Sequence, residues 1–140
     1  MKKIILNINK DFFVKIIIYA AKDRYSAVLI SDNRTKRVSK RINKNSEIKT
    51  LLIGLIDCIK KIKFPVELEI ISNNYDLKKI MENSFNYSDS HKFIENKKLI
   101  IEFNNILLQH NYFSFTHSEE REKDHKIFNE LFRDCLYKRF

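Results

Sequence analysis

The residues best suited to chemistry in this chain are its cations. Arg34, Lys36, Arg37, Lys40 and Arg41 fall in one short stretch, and Lys22 and Arg24 precede it. Lys and Arg number 27 against 18 Asp and Glu, giving a formal net charge of +9. Such a surface attracts polyanions, because each phosphate neutralised by a cation releases condensed counterions. Solubility alone is the bland alternative, and the uneven spread of the charge favours the phosphate reading. The thiols offer less. Cys58 and Cys135 are isolated within helix-like patterns and match neither a zinc spacing nor a disulfide framework. They read as small buried core residues in a reducing compartment.

The elements that must position these cations can be read from periodicity. The 140 residues suit one domain, and 44% hydrophobic residues supply a sizeable core. With one glycine, Gly54, and one proline, Pro65, there is little material for linkers. Met1 to Leu6 opens like a secretion signal, but Asn7, Asn9, Lys10 and Asp11 interrupt it too early. The apolar run from Phe12 to Ala21 is too short to span a bilayer. A cytoplasmic location, or one inside an intracellular particle, is expected.

Val14 to Ala21 is apolar at nearly every position, as in a central strand covered on both faces. Asp23-Arg24 turns into a second strand, Tyr25 to Ser31. Asp32-Asn33 turns again into a basic third strand, Arg34 to Ile42, near the sheet edge, where lysine discourages edge pairing. Ser46 can cap a helix, and Ile48, Leu51, Leu52, Leu55, Ile56, Ile59 and Ile62 then recur at helical spacing until Pro65 intervenes. Val66 to Ile70 alternates as a fourth strand. A short helix runs from Asp76 to Met81, and Phe85 to Phe93 is a loop or short helix. Lys98 to Gln109 forms a helix with Leu99, Phe103, Ile106 and Leu107 on one face. Tyr112 to Thr116 makes a fifth strand, and Lys123 to Tyr137 a final helix with Phe128, Leu131, Phe132 and Cys135 inward. The first three strands form an antiparallel meander. The fourth and fifth return through helices and can lie parallel to the first.

That order resembles the ribonuclease H fold over nearly the whole chain: an α/β domain with a five-stranded mixed sheet flanked by helices. Four stretches support it. Ser46-Glu47-Ile48 resembles the glutamate opening the family's first helix. Ile70-Ile71-Ser72-Asn73-Asn74 is similar to its strand-end Thr/Ser-Asp-Ser. Tyr112-Phe113-Ser114-Phe115-Thr116-His117-Ser118, following the Leu99 to His110 helix, resembles its fifth strand and Gly-His-Ser loop. Asn129-Glu130-Leu131 resembles its Asp-Glu-Leu.

The resemblance implies an activity, cleavage of the RNA strand of RNA–DNA hybrids with two divalent metals, and positions for the acids that hold them. These positions correspond to Ala21 (or Ala20), Glu47, Asn73 and Asn129, so only Glu47 keeps a carboxylate. The family's glycine after the first acid is replaced by Lys22. His117 corresponds to the family's mobile loop histidine, although a lone loop histidine is more often an ordinary surface residue. Glu47 also suits the positive end of a helix dipole, and Asn73 is also a common residue after a strand. Asn73 and Asn129 would then hydrogen-bond each other or cap backbone groups. Two hard cations about 4 Å apart need charged oxygens to offset their repulsion. One carboxylate is too little, so no cofactor is expected, with Mg2+ or Mn2+ if the site is active. Substitute acids would be Asp23, Asp76, Asp124 or Glu130, of which Asp23 is best placed.

Three functions follow. The first is a catalytically degenerate module that binds RNA or RNA–DNA hybrid through Lys22, Arg24, Lys36, Arg37, Lys40, Arg41 and Lys92. The segment Asn83 to Lys98 lies where the family contacts substrate, and its Phe85, Tyr87 and His91 could stack on bases or simply pack. The second is a protein-interaction or assembly subunit of a larger complex, docking through the Leu136 to Phe140 tip. The third is a metal-dependent nuclease using relocated acids.

Overall fold

A computed structural model describes residues 12–32, 34–82, 96–118 and 124–137. Strands β1 (Phe13–Ala20), β2 (Arg24–Ser31) and β3 (Arg34–Arg41) come first. Helix α1 (Glu47–Lys60), strand β4 (Glu67–Ser72), and helices α2 (Asp76–Glu82) and α3 (Lys97–Leu107) follow. Strand β5 (Tyr112–His117) and helix α4 (His125–Tyr137) complete the order. The strands form one five-stranded sheet in the order β3-β2-β1-β4-β5. β1, β2 and β3 pair antiparallel, while β4 and β5 run parallel to β1. No helix among the described residues is long and apolar enough to cross a membrane.

Strand β1 is the spine. Ile16, Ile17 and Ile18 are wholly buried, each contributing about 1.5–3 kcal/mol of transfer free energy. Because side chains alternate along a strand, Val14, Ile16, Ile18 and Ala20 join the core beneath α1 and α3. Ile17 and Tyr19 face the smaller core beneath α4. The apolar run without alternation thus reflects two buried faces. The first hairpin closes where Ala21 donates its N–H to the Arg24 carbonyl at 2.9 Å. The second turns through Asp32, whose φ of 49° places it in the left-handed region, which a short polar side chain tolerates.

Helix α1 begins as its sequence directs. The Ser46 hydroxyl accepts from the Lys49 N–H at 3.2 Å, and Glu47 and Lys60 complement the two ends of the dipole. Gly54 lets α1 lie against β2: a Cβ there would stand 2.8 Å from the ring carbon Cγ of Tyr25. Tyr25 is itself buried, with its hydroxyl donating to Asp57 at 2.7 Å.

Several boundaries move. β1 stops one residue before Ala21, while β4 and β5 extend to Ser72 and His117, because the parallel ladder pairs those two residues and pairs Ser72 with Ile18. Phe132, expected inward on α4, is 39% exposed; its ring meets Tyr19 edge-on at the rim of the interface. Phe85 to Phe93 and Lys123 lie outside the described residues.

Two stability predictions follow from this packing. Gly54→Ala should cost about 1–3 kcal/mol through overpacking against Tyr25, outweighing a helix-propensity gain of up to about 1 kcal/mol. A lower urea midpoint is expected, and an unchanged midpoint would show that the ring yields freely. His110 accepts the Val66 N–H on its Nδ1 at 3.2 Å, and burial lowers its pKa. A depressed histidine pKa leaves its stabilisation intact above the unfolded value of about 6.5 and removes it as pH falls through the folded value. Replacing His110 with Gln should flatten that part of the stability–pH curve.

Candidate functional site

The carboxyl ends of β1, β4 and β5 lie side by side, the usual place for a site in a sheet with parallel strands. Asn73 stands just beyond β4. Its Oδ1 accepts the Ala20 N–H at 3.1 Å, and its Nδ2 donates to the Ala20 carbonyl at 3.2 Å. The side chain thus extends the β4–β1 ladder by one backbone-like pair. A carboxamide can do both, whereas an ionised carboxylate has no proton to donate.

Asn74 works in the opposite direction. Its Oδ1 accepts the N–H groups of Asp76 and Leu77 at 2.8 and 3.0 Å, opening α2. Its Nδ2 donates to Glu47 Oε1 at 3.1 Å, so Asn74 ties the start of α1 to the end of β4. His117, expected in a loop, is the last residue of β5. Its Nε2 lies 3.2 Å from the Asn73 carbonyl, and its ring stacks on Tyr75 with centroids 3.7 Å apart and planes at 11°.

At the end of β1, Ala20 is buried in the core beneath α1 and Ala21 sits in the hairpin. Ala20 therefore does not serve as an alternative to Ala21, since it points to the other face of the sheet. The β1 side chain that reaches the site is Tyr19, which the sequence reading missed. Its ring meets Phe128 and Phe132 edge-on at 5.6 and 5.0 Å. Burial foremost, then Cys135 and Glu47, raise its phenol pKa. Glu47 is therefore within electrostatic reach of it. Alternation from Ile17 was the available signal, obscured by the isoleucine run on both sides of the strand.

The cations divide into two groups. Arg24 pairs with Asp23 at 3.1 Å and donates to the Cys135 carbonyl at 3.0 Å, tying the first hairpin to the last turn of α4. Arg37 pairs with Glu130 and Asp134 at 2.5 and 3.4 Å, and Lys40 lies 4.0 Å from Asp57. All three expected phosphate contacts thus have acid partners within the protein, while the side chains of Arg37 and Lys40 stay exposed. Lys22, Lys36 and Arg41 are exposed, as are Arg34 and Lys44. Lys92 and the aromatics Phe85, Tyr87 and His91 lie outside the described residues.

The acids are dispersed. Asp23 is bound to Arg24, which with its hydrogen bond holds the carboxyl below its usual pKa. Asp124 pairs with Lys15 at 3.2 Å, five residues before Ala20 on β1, and so about 16 Å along the strand. Glu130 is held by Arg37, and Asp76 sits in the first turn of α2. Asn129 is exposed on α4 and has no hydrogen bond to Asn73 or Glu47 among the described residues. No group of three or more His, Cys, Asp or Glu is placed to hold a metal among the described residues. Glu47 already shares an oxygen with Asn74, and the Asn73 oxygen accepts from the backbone. These donors do not fit a pair of hard divalent cations. Thiol chemistry is disfavoured too, since burial pushes Cys58 and Cys135 up to about 12.

The Asn73 pairing predicts the outcome of restoring an acid. Asn73→Asp sets a carboxylate against the Ala20 carbonyl, at a cost of about 1–3 kcal/mol at neutral pH. Only the protonated form can donate there, so the folded-state pKa of the new carboxyl is raised. The deficit is then present above that pKa and shrinks as pH falls through it. Urea midpoints of variant and wild type should converge on acidification, and a rescue by Mn2+ at neutral pH would show instead that a metal site had been recreated.

No family model and no curated protein matches the chain. Solved structures do. Ribonuclease H1 from the halophilic archaeon Halobacterium salinarum NRC-1 aligns with a TM-score of 0.63 at 15% identity, over 87% of this chain and 98% of that one. LC11-RNase H1, solved in complex with an RNA/DNA hybrid, aligns at 0.58 and 13% identity, over 91% and 100%. The N-terminal RNase H domain of rv2228c from Mycobacterium tuberculosis aligns at 0.61 and 14% identity, over 84% and 95%. With identity this low the likeness speaks for architecture, and together with the strand order β3-β2-β1-β4-β5 it establishes that this chain has the ribonuclease H fold.

Proposed function

We propose that this chain binds nucleic acid, RNA or an RNA–DNA hybrid, through a basic surface, and that it does not carry out two-metal cleavage. The observation that carries this reading is the hydrogen bonding at the strand ends. Asn73 is bonded to the Ala20 backbone and Asn74 to Glu47, so the groups that would face a metal are committed to holding the sheet and α1 together. Asp23 and Glu130, two of the acids that could substitute, are bound by arginines.

Binding is supported by the net charge of +9 and by the exposure of Lys22, Arg34, Lys36, Arg41 and Lys44 on the first hairpin, the edge strand and the approach to α1. The LC11-RNase H1 complex with an RNA/DNA hybrid shows that a protein of this architecture can engage such a ligand. Contacts made through exposed lysine and arginine would be largely independent of sequence and sensitive to salt.

Fluorescence anisotropy with labelled RNA, DNA and hybrid at two salt concentrations tests this reading. Affinity should fall steeply with salt. Lys36→Gln and Arg41→Gln should each weaken all ligands alike and reduce the slope of log K against log salt by about 1. No binding at low salt would remove the proposal. Cleavage of hybrid in Mg2+ or Mn2+ that is abolished by Glu47→Gln would replace it with a nuclease.

A further inference from the structure

We infer that Tyr75, backed by His117, is a stacking platform for an unpaired nucleobase, so that the ligand of this domain includes a single-stranded segment. This rests on the nucleic-acid reading above and specifies the form of the ligand.

Tyr75 is 67% exposed, although an exposed aromatic ring gains nothing from burial. It is nevertheless held in place. Its ring lies 3.7 Å from that of His117 with the planes at 11°. His117 belongs to β5 in register with Ser72, and its Nε2 is 3.2 Å from the Asn73 carbonyl. The adjoining Asn74 is bonded to both α2 and Glu47. The backing ring is therefore anchored by a strand and a hydrogen bond. A preorganised ring loses little entropy when a ligand stacks on it.

The chemistry of the surroundings selects the occupant. Every base has a π face, and stacking on an aromatic side chain is tolerant of sequence. Lys78, in the first turn of α2, is exposed on the side of the same small hollow that Tyr75 and His117 line, where it can meet the phosphate of a stacked nucleotide. In a duplex the base faces are already stacked on their neighbours. An exposed ring therefore distinguishes a single strand, an overhang or a splayed end from a continuous hybrid.

The test compares three ligands of equal length by anisotropy: single-stranded RNA, an abasic strand and a blunt RNA–DNA hybrid. Wild type should bind the base-bearing strand about tenfold more tightly than the abasic one. Tyr75→Ala should abolish that difference while leaving abasic-strand and hybrid affinities unchanged, and Tyr75→Phe should keep it. Tyr75→Leu, apolar but without a π face, should behave as the alanine variant does and guards against a packing defect. Retention of the base-dependent difference in Tyr75→Ala would overturn this inference while sparing the wider reading. Absence of binding to all three ligands would overturn both. A protein captured in nuclease-treated extract by wild type but not by Tyr75→Ala would assign the ring to a protein interface and overturn the inference as well.

Discussion

The architecture depends on burying both faces of β1. That strand bonds to β2 on one side and β4 on the other, and its alternate side chains feed the two cores. A strand so placed has little room for charge. Lys15, half-buried toward its start, is accommodated by Asp124 just before α4, because a cation withdrawn from water needs a partner. Toward its end, the side chain that reaches the candidate site is Tyr19, whose ring is enclosed by Phe128 and Phe132. An aromatic residue at this place serves packing, where a carboxylate would have had to be offset by metal or arginine.

The asparagines beyond β4 follow the same logic. Where a sheet opens at its carboxyl end, neighbouring strands lose their ladder partners, and unsatisfied backbone groups are costly. Asn73 supplies both a donor and an acceptor to Ala20, closing the gap between β1 and β4. Asn74 links α2 and α1 across the same opening. The result is a hydrogen-bonded end of the sheet, with two asparagines between the strands and Glu47. This accounts physically for why neutral side chains there are compatible with an intact ribonuclease H fold.

The allocation of arginine and lysine divides the surface. Arg24 and Arg37 bridge the meander to α4, using charge to fasten a helix to a sheet. Arginine suits this because its fork reaches two acceptors at once, as Arg37 does with Glu130 and Asp134. Lys22, Lys36 and Arg41 are exposed to solvent.

The order of elements was legible from sequence, because the signals are local. Isoleucine runs mark the buried strand, Ser46 caps α1, the heptad-like spacing from Ile48 to Ile62 marks an amphipathic helix, and Pro65 bounds it. That Ala21, Asn73 and Asn129 are not carboxylates was also legible, since it is a matter of residue type. Which cations are engaged was not, because Arg37 meets Glu130 and Asp134 across roughly ninety positions of chain. Nor could local pattern show that Tyr19 rather than Ala21 reaches the site, that Asn73 serves the backbone of Ala20, or that His117 backs an exposed Tyr75. Those facts depend on strand register and on which face each helix covers, and these are set only when distant segments pack against one another.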